Sequence, residues 1–196
     1  MNEQSKSTKR RFYDGAFHSR YFIGAGIDIG GKPDPLARYV SQFSGMTSVR
    51  TWDIEDGDAQ LLSDIPDNSY DFGVASHSLE HMVDVVEALK NWLRIIKPGG
   101  YLVITIPDED LYELGCWPSQ WNGDHKHTFT IYKRKSWSPV SINILDLVVK
   151  LELKVERIML VNDFFLEDFR GEDQTMMPLA ECSIEIIIKK IKERLN

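Results

Sequence analysis

Two apolar runs joined by an amphipathic segment constrain the fold of this chain more than any other feature. The runs Tyr70–Ser76 and Tyr101–Ile106 are nearly continuous in apolar residues, which is typical of strands buried on both faces of a sheet. Between them, Asp84–Glu87 has the spacing of a capping box, and apolar side chains recur at helical spacing over residues 86–96. The segment Lys97–Gly100 then ends the helix. A strand, helix and strand with short connections predict two parallel strands.

The rest of the chain repeats this alternation. Residues 35–43 and 141–150 have helical periodicity. Further strands are predicted at 26–29, 48–54, 154–161 and 183–189, with a loop or broken helix over 162–182. Alternating strands and helices predict an α/β fold with a doubly wound sheet.

The length of 196 residues predicts a single domain with a substantial core. We divide the chain into an N-terminal lead-in segment, residues 1–22, and one domain over residues 23–196. The lead-in is polar with scattered aromatic residues, which we expect to pack on the domain. Its basic cluster, Lys6–Arg11, is expected to be a solvated and partly disordered terminus.

Charge and composition limit the partners. A net charge of −7 disfavours nucleic acid and fits a small acceptor molecule. We expect no membrane insertion, because no run approaches the roughly 18 apolar residues that span a bilayer, and the polar N-terminus is unlike a secretory signal. Cys116 and Cys182 match no metal spacing, and we expect reduced thiols in a cytoplasmic protein. The sequence predicts no oligomeric state.

The stretch Gly24–Gly31, GAGIDIGG, is close to a dinucleotide-binding fingerprint but does not match it. That fingerprint needs G-x-G-x-x-G after a strand and before a helix. Here the spacing is G-x-G-x-x-x-G, and Gly24 and Gly26 stand at or before the start of the predicted strand. Only Gly30 and Gly31 occupy the turn, where they allow a ligand to approach the backbone. A dinucleotide cofactor is therefore not predicted.

Polar clusters follow four of the predicted strands. They are Asp28–Lys32, Asp53–Gln60, Ser76–His81 and Pro107–Thr130. Ligands of doubly wound sheets bind at the carboxyl ends of the strands, near a topological switch point. The four clusters are therefore expected to form one site.

The segments GIDIGG, WDIEDGDAQLL, NSYDFGVASHSLEHM, LRIIKPGGYLVITIPDEDLYE and DHKHTFT occur in that order over residues 24–130. Together they resemble the class I S-adenosylmethionine-dependent methyltransferases, specifically small ones often linked to glycan or surface-polysaccharide assembly. The resemblance implies a Rossmann-like sheet, mostly parallel with an antiparallel last strand, and S-adenosylmethionine as cofactor.

The resemblance also implies roles for individual residues. Asp28, Gly30 and Gly31 would lie against the methionine part of the cofactor. Asp53 would accept hydrogen bonds from the ribose hydroxyls, a task that suits the several acceptor sites of a carboxylate. Asp58 and Ala59 would lie beside the adenine amino group. Ser76 and His77 would line the sulfonium end.

Two departures from the family pattern affect these assignments. The family usually has G-x-G-x-G after the first strand, whereas this chain has Gly30-Gly31-Lys32-Pro33. Only four residues separate Asp53 from Asp58, where the family fold has room for a helix and a strand. Either one βα unit is missing, or the two aspartates do not both have the implied roles.

The segment His77–His81, HSLEH, has a competing interpretation as the H-x-x-E-H pattern of inverted zinc peptidases. That pattern needs both histidines on one helix, whereas His77 directly follows an apolar strand. We favour His77 near the cofactor, with Glu80 and His81 bonded to the local backbone. A role of Glu80 and His81 in binding substrate or a divalent ion stays open, and the sequence assigns no metal ligand.

The loop over residues 117–127 is the predicted acceptor site. It combines aromatic faces with hydrogen-bonding groups, which suits a sugar or another polyhydroxyl ring. The candidate acceptor-binding residues are His81, Trp117, Trp121 and Asp124. His125 or His127 is the candidate base, because an imidazole can take the proton of a hydroxyl as the methyl group arrives.

The sequence thus predicts O-methylation of a small polar acceptor such as a saccharide or nucleotide-sugar. N- or C-methylation of another small metabolite is an alternative. A third hypothesis is a protein that binds the cofactor but no longer catalyses and acts as an interaction partner.

Overall fold

The computed structural model describes residues 3–191, and one six-stranded sheet forms its centre. The strands of the chain are β1 (Gly24–Ile29), β2 (Met46–Trp52), β3 (Tyr70–Ser76), β4 (Ile96–Pro107), β5 (Thr128–Thr130), β6 (Ser141–Asn143), β7 (Val155–Val161) and β8 (Ser183–Lys189). The central sheet has the order β2-β1-β3-β4-β8-β7, and β5 pairs with β6 separately.

Strand directions confirm the predicted sheet. β2, β1, β3 and β4 are parallel neighbours, whereas β8 runs antiparallel to both β4 and β7. Residues 53–69, between β2 and β3, contain neither a strand nor a helix. The chain therefore lacks a βα unit at this point, which explains the short spacing between Asp53 and Asp58. The shortened connection leaves the carboxyl ends of β1, β2 and β3 side by side.

The predicted strand–helix–strand unit is present as β3, α2 (Val85–Arg94) and β4. The side chain of Asp84 accepts hydrogen bonds from the backbone N–H groups of Val86 and Glu87, which caps the helix as predicted. Leu89 and Trp92 are buried in the main core beneath the sheet. The indole N–H of Trp92 also donates a hydrogen bond to the carbonyl of Ala59 at 2.7 Å, which holds the 53–69 connection in place.

Several elements differ from the predictions in type or bounds. β2 begins and ends two residues earlier than predicted, and β4 already starts at Ile96, so Lys97–Gly100 lies within a strand and α2 ends before it. The segment expected to be a helix at 35–43 is a 3₁₀ helix over Leu36–Gln42. The segment at 141–150 begins with the short strand β6 and becomes helical as α3 (Ile144–Lys150). β1 already starts at Gly24, so the first two glycines of GAGIDIGG lie inside the strand. A Cβ on Gly26 would lie 2.1 Å from the Phe72 ring, so this glycine serves packing.

The N-terminal segment corrects the sequence prediction. Residues Glu3–Phe12 form a helix, α1, in which Lys6 and Arg11 are buried. The Lys6 ammonium donates to the carbonyls of Thr175 and Ala180 at 2.7 and 2.9 Å. The expectation of a solvated, partly disordered basic terminus was wrong, because carbonyl and carboxylate partners elsewhere in the chain compensate these buried charges.

Three of the five aromatic residues of the lead-in segment pack on the domain as predicted, whereas Phe12 and Tyr13 are exposed. Phe17, Tyr21 and Phe22 are buried in a second core cluster with Phe72 of β3. Within residues 3–191, no helix is both long and apolar enough to cross a bilayer.

Candidate active site

A polar pocket opens at the carboxyl edge of the sheet, where β1 and β3 end. Its wall includes Asp28 and the turn Gly30–Asp34 after β1, and parts of the segment Ser76–His81 after β3. Asn122 and His125 from the loop after β4 complete one side. The first residues of α1, Glu3 and Gln4, also line it. Three of the four clusters predicted from the sequence therefore contribute to one cavity.

The Gly30–Gly31 turn brings bare backbone to the pocket. Gly30 has φ +73°, and a Cβ there would lie 2.2 Å from the Ser78 hydroxyl oxygen. A Cβ on Gly31 would lie 2.4 Å from Oδ2 of Asp28. Glycine is thus required at both positions, for backbone conformation at the first and for space at both.

Oδ1 of Asp28 and the hydroxyl of Ser76 are among the buried polar atoms of this pocket that have no hydrogen-bond partner within the described residues. The other carboxylate oxygen of Asp28 accepts from the Leu36 N–H at 2.7 Å. Burial raises the pKa of Asp28 to about 7, against that hydrogen bond and the nearby charge of Arg11. An acidic acceptor and a hydroxyl beside a glycine turn fit the amino-acid end of S-adenosylmethionine.

Asp53 lies next to this turn, at the end of β2. Its carboxylate accepts from the Lys32 N–H at 2.8 Å and from the Ile54 N–H at 2.9 Å. Asp58 caps the local turn by accepting from the Gln60 N–H at 2.7 Å, and Ala59 is held by Trp92. None of Asp53, Asp58 and Ala59 is part of the polar pocket's wall.

His77 is a buried, neutral member of the pocket. Its Nε2 lies 2.9 Å from the Ser183 hydroxyl and 3.7 Å from a carboxylate oxygen of Glu3. Burial lowers the pKa of His77 to about 3. The residue has φ +53°, so the chain turns sharply as it leaves β3.

The segment after His77 has no α-helix to hold an H-x-x-E-H motif. Leu79–His81 is a single 3₁₀ turn, so His77 and His81 do not share the helical face that the peptidase pattern needs. Glu80 is completely buried, and burial raises its pKa to about 8, with the charges of Glu113 and Glu3 acting in the same direction.

Two histidines in the pocket are each held by a carboxylate. Nδ1 of His125 lies 2.6 Å from Oε1 of Glu113, and both residues are buried. Nδ1 of His81 lies 3.0 Å from Oδ2 of Asp124. The two imidazole rings stand edge to face with centroids 5.0 Å apart. In both residues the carboxylate favours a proton on Nδ1, which leaves the lone pair on Nε2.

The remaining predicted residues lie outside the pocket wall. Nε2 of His127 is 3.3 Å from the Val83 carbonyl, in a separate groove beside α2 and α3. The indole of Trp121 donates to the Tyr112 carbonyl at 3.0 Å and packs on a small core cluster. Trp117 is half-buried on the same loop.

Sequence reasoning missed Glu3, Gln4, Glu113 and Asn122. One sequence signal could have indicated where α1 packs. Glu185 stands within the apolar strand SIEIIIK, and a buried acid requires a cationic partner from elsewhere in the chain. That cation is Arg11. The pairing of Glu113 with His125 had no local signal, since twelve positions of irregular chain separate the two residues.

Comparisons with known proteins agree with this fold. Residues 16–104 match a family model described as a methyltransferase domain. No curated protein matches the chain. An S-adenosylmethionine-dependent methyltransferase from Archaeoglobus fulgidus superposes with a TM-score of 0.61 at 17% identity, covering 97% of this chain and 95% of that one.

Two further structures have the same fold. One belongs to the complex that contains the Haloferax volcanii Trm112 methyltransferase activator, with a TM-score of 0.60 at 12% identity, covering 97% of this chain and 94% of that one. The other is the [4+2]-cyclase SpnF, with a TM-score of 0.52 at 15% identity, covering 93% and 81%. The chain thus has the fold of the class I methyltransferases, residues 16–104 of it match their methyltransferase domain, and these findings support S-adenosylmethionine as its cofactor.

Proposed function

We propose that the chain transfers a methyl group from S-adenosylmethionine to a hydroxyl oxygen of a small polar acceptor, such as a saccharide or nucleotide-sugar. The observation that carries the proposal is the pair His125–Glu113, whose imidazole lines the same pocket as the Gly30–Gly31 turn. A hydroxyl is a weak nucleophile, and a positioned base is the usual means of activating it. The histidine–carboxylate pair supplies that base.

When bound, S-adenosylmethionine supplies an electrophilic methyl group on a sulfonium and leaves as S-adenosylhomocysteine, with the electron pair of the broken C–S bond on sulfur. Nε2 of His125 takes the hydroxyl proton as the acceptor oxygen bonds to the methyl carbon. The Glu113 carboxylate holds Nδ1–H and stabilises the imidazolium that forms. The walls of the pocket contribute by fixing acceptor and methyl donor in line.

The cofactor assignments follow the wall from β1 to β3. We place the methionine part against Asp28, Gly30 and Gly31, with the unpartnered Oδ1 of Asp28 as acceptor for its amino group. Ser76 and His77 lie next along the wall, at the sulfonium end. Asp53, which touches the Lys32 N–H, is assigned to the ribose, and Asp58–Ala59 to the adenine.

The acceptor is assigned to the end of the pocket lined by His81, Asn122 and His125. These side chains offer hydrogen-bond donors and acceptors with little apolar surface, which suits a polyhydroxyl molecule more than an apolar one. Trp117, Trp121 and Asp124 belong to the loop that forms this end. His127 has no part in this proposal, because its ring lies in the separate groove beside α2.

Isothermal titration with S-adenosylmethionine and S-adenosylhomocysteine tests the first half of the proposal. We expect one site per chain for both, and absence of binding to the folded protein would contradict a methyltransferase. A panel of hydroxylated, amino and carbon acceptors then tests the second half, with formation of S-adenosylhomocysteine as the readout. A methylated oxygen in the product supports the proposal, whereas a methylated nitrogen or carbon refutes O-methylation.

Methyl transfer needs a test separate from cofactor binding, because the fold alone does not establish it: one protein of this fold is the [4+2]-cyclase SpnF. Binding of the cofactor without transfer to any acceptor would favour a non-catalytic interaction protein. His125→Gln is the matched variant: it should abolish transfer while cofactor affinity stays within about twofold. If His125→Gln keeps full turnover, the proton goes to another group.

A further inference from the structure

Glu80, His81 and His125 converge in the pocket, and all three side chains are of types that ligate metal ions. Each offers one ligand atom, and these atoms all lie within 4.8 Å of one another. Glu80 comes from the 3₁₀ turn after β3, together with His81, whereas His125 comes from the loop after β4. Two separate segments thus bring their polar groups to one point.

An unpartnered buried carboxylate distinguishes this cluster from an ordinary polar wall. Glu80 is fully buried, and neither of its carboxylate oxygens has a hydrogen-bond partner within the described part of the chain. Nδ1 of His77 lies 3.7 Å from Oε1 of Glu80, and Nε2 of His125 lies 3.9 Å from the same atom. Both separations exceed hydrogen-bond length. A buried carboxyl group without hydrogen-bond partners is costly, and a bound cation would replace its proton and give it a partner.

The two histidines have the hydrogen bonds that metal-ligating histidines have. Nδ1 of His125 is hydrogen-bonded to the carboxylate of Glu113, and Nδ1 of His81 is hydrogen-bonded to the carboxylate of Asp124. A carboxylate that is hydrogen-bonded to Nδ1 fixes the orientation of the imidazole ring and leaves the lone pair of Nε2 free for a metal. Histidines that bind metals commonly have such a partner. Both rings are therefore prepared to give Nε2 to an ion.

We propose that Glu80, His81 and His125 bind a divalent transition-metal ion such as Mn²⁺, Fe²⁺, Co²⁺ or Zn²⁺. Two imidazole nitrogens and one carboxylate suit these ions, whereas Mg²⁺ and Ca²⁺ prefer oxygen ligands throughout. Metal–ligand bonds of about 2.0–2.2 Å place neighbouring ligand atoms about 3–3.5 Å apart. The 3.9 Å between Nε2 of His125 and Oε1 of Glu80 requires an inward shift of less than about 1 Å, and ligand atoms up to 4.8 Å apart require a shift of up to about 2 Å.

The consequence for catalysis rests on the proposed methyl transfer to oxygen and replaces only the base assigned there. Three protein ligands leave coordination positions open to the pocket, where an acceptor hydroxyl can bind the ion. The lone pair of His125 is then on the ion, so His125 no longer takes the proton. The ion lowers the pKa of the bound hydroxyl, which loses its proton to solvent water before the oxygen attacks the methyl carbon. The ion and the free imidazole are alternative ways to the same nucleophile.

Metal binding can be tested without cofactor or acceptor. The full chain, stripped with a chelator, is titrated with Mn²⁺ and followed by the electron paramagnetic resonance of free Mn²⁺. Co²⁺ is added in a parallel experiment, because its visible absorption reports nitrogen and oxygen ligation. We expect one ion per chain, and at least tenfold weaker binding in Glu80→Gln, His81→Gln and His125→Gln. Circular dichroism establishes that each variant is folded.

His127→Gln is the matched control, since it removes a histidine from the same loop outside the cluster. It should bind Mn²⁺ like the wild type. Absence of Mn²⁺, Co²⁺ and Zn²⁺ binding to the folded wild type would overturn the proposal, and so would equal losses in His127→Gln and Glu80→Gln. Failure of the proposed function is seen separately, as absence of S-adenosylmethionine binding in protein that holds the ion.

A chelator tests the part of the ion in the reaction. Loss of methyl transfer on chelation, restored by Mn²⁺, supports it. Full turnover of the chelated protein would refute the ion's role in transfer, and His125 would then act as the base.

Discussion

Nδ1 of His125 lies 2.6 Å from Oε1 of Glu113, with both side chains almost fully buried. This single hydrogen bond fixes which nitrogen of the imidazole faces the pocket. Nε2 is available whether the histidine takes a proton or binds an ion. Glu113 therefore acts through His125 and is a positioning residue.

Glu113→Gln should lower the turnover number about 10–100-fold. The glutamine keeps the shape and an acceptor oxygen but loses the negative charge that stabilises a cationic or metal-bound imidazole. Cofactor affinity should remain within about twofold, so the loss appears in kcat and not in the Kd of S-adenosylmethionine. Steady-state rates and titration calorimetry measure the two quantities. Glu167→Gln, which alters an exposed acid paired with Arg170, serves as the control and should leave both unchanged. Equal weakening of cofactor binding in Glu113→Gln would indicate a general structural defect.

Cofactor affinity should rise with pH through neutrality because of Asp28. Burial raises the pKa of this carboxyl to about 7, so its charged form is incomplete at neutral pH in the empty pocket. The cationic amino group of S-adenosylmethionine favours the charged form, and binding releases a proton. Affinity should fall about fivefold from pH 7 to pH 6, a range in which the amino group of the cofactor, with an ordinary pKa of about 8, stays protonated. Calorimetric titrations across this range measure the slope.

Asp28→Asn is the control for that slope. The amide can still accept from the Leu36 N–H but has no charge to titrate. Its affinity should be low and independent of pH. A slope that persists in Asp28→Asn would assign the titration to another pocket acid, such as Glu3.

The sheet could be predicted from sequence because its strands carry local signals. Tyr70–Ser76 and Ser183–Lys189 were predicted with the bounds that the structure has, since apolar runs of that length have few alternatives. α1 could not be predicted in the same way, because its buried face is polar and is stabilised by distant partners such as Glu185. Periodicity of apolar residues says nothing about such a helix.

The residues of the site also differ in whether a local sequence pattern could predict them. Asp28, Ser76 and His77 lie at or just after the carboxyl ends of β1 and β3, so the sheet topology alone brings them together. His125 and His127 stand two residues apart on an irregular loop, and only tertiary contacts separate them: one meets Glu113 and the other the Val83 carbonyl. No local pattern could distinguish the two.

Gly30→Ala should disrupt the cofactor turn. An alanine there meets two obstacles, the positive φ of +73° and a Cβ position 2.2 Å from the Ser78 hydroxyl. We expect cofactor binding to weaken at least tenfold and the free energy of unfolding to fall by about 1–3 kcal/mol. Gly15→Ala is the matched control, because a Cβ at Gly15 meets no atom within 4 Å. Calorimetry and urea unfolding measure both effects, and wild-type affinity in Gly30→Ala would remove this turn from the cofactor site.

Arg11→Met should lower the free energy of unfolding more than the substitution of any exposed charged residue. Nη2 of Arg11 lies 2.8 Å from Oε2 of Glu185, and neither side chain is exposed. Loss of the guanidinium leaves a buried carboxylate whose remaining cationic partners are Arg10 at 3.0 Å and Arg157 at 3.8 Å, which should cost on the order of 3 kcal/mol in urea unfolding at neutral pH. Arg170→Gln, in an exposed pair, should cost less than about 1 kcal/mol. The double variant Arg11→Met with Glu185→Leu should recover most of the loss, because no uncompensated charge remains.

The pH dependence of the Arg11→Met defect gives a second check. Burial raises the pKa of Glu185, but Arg11 and Arg10 outweigh it and hold the net pKa below the usual value. A lowered pKa contributes stability above the unfolded pKa of glutamate, about 4.3, and that contribution is lost as pH falls through the folded value. In Arg11→Met the carboxyl can take up a proton more readily, which relieves the buried charge. The difference in unfolding free energy between wild type and variant should therefore shrink as pH falls from 7 toward 4, and a constant difference would show that lost packing, not charge, causes the defect.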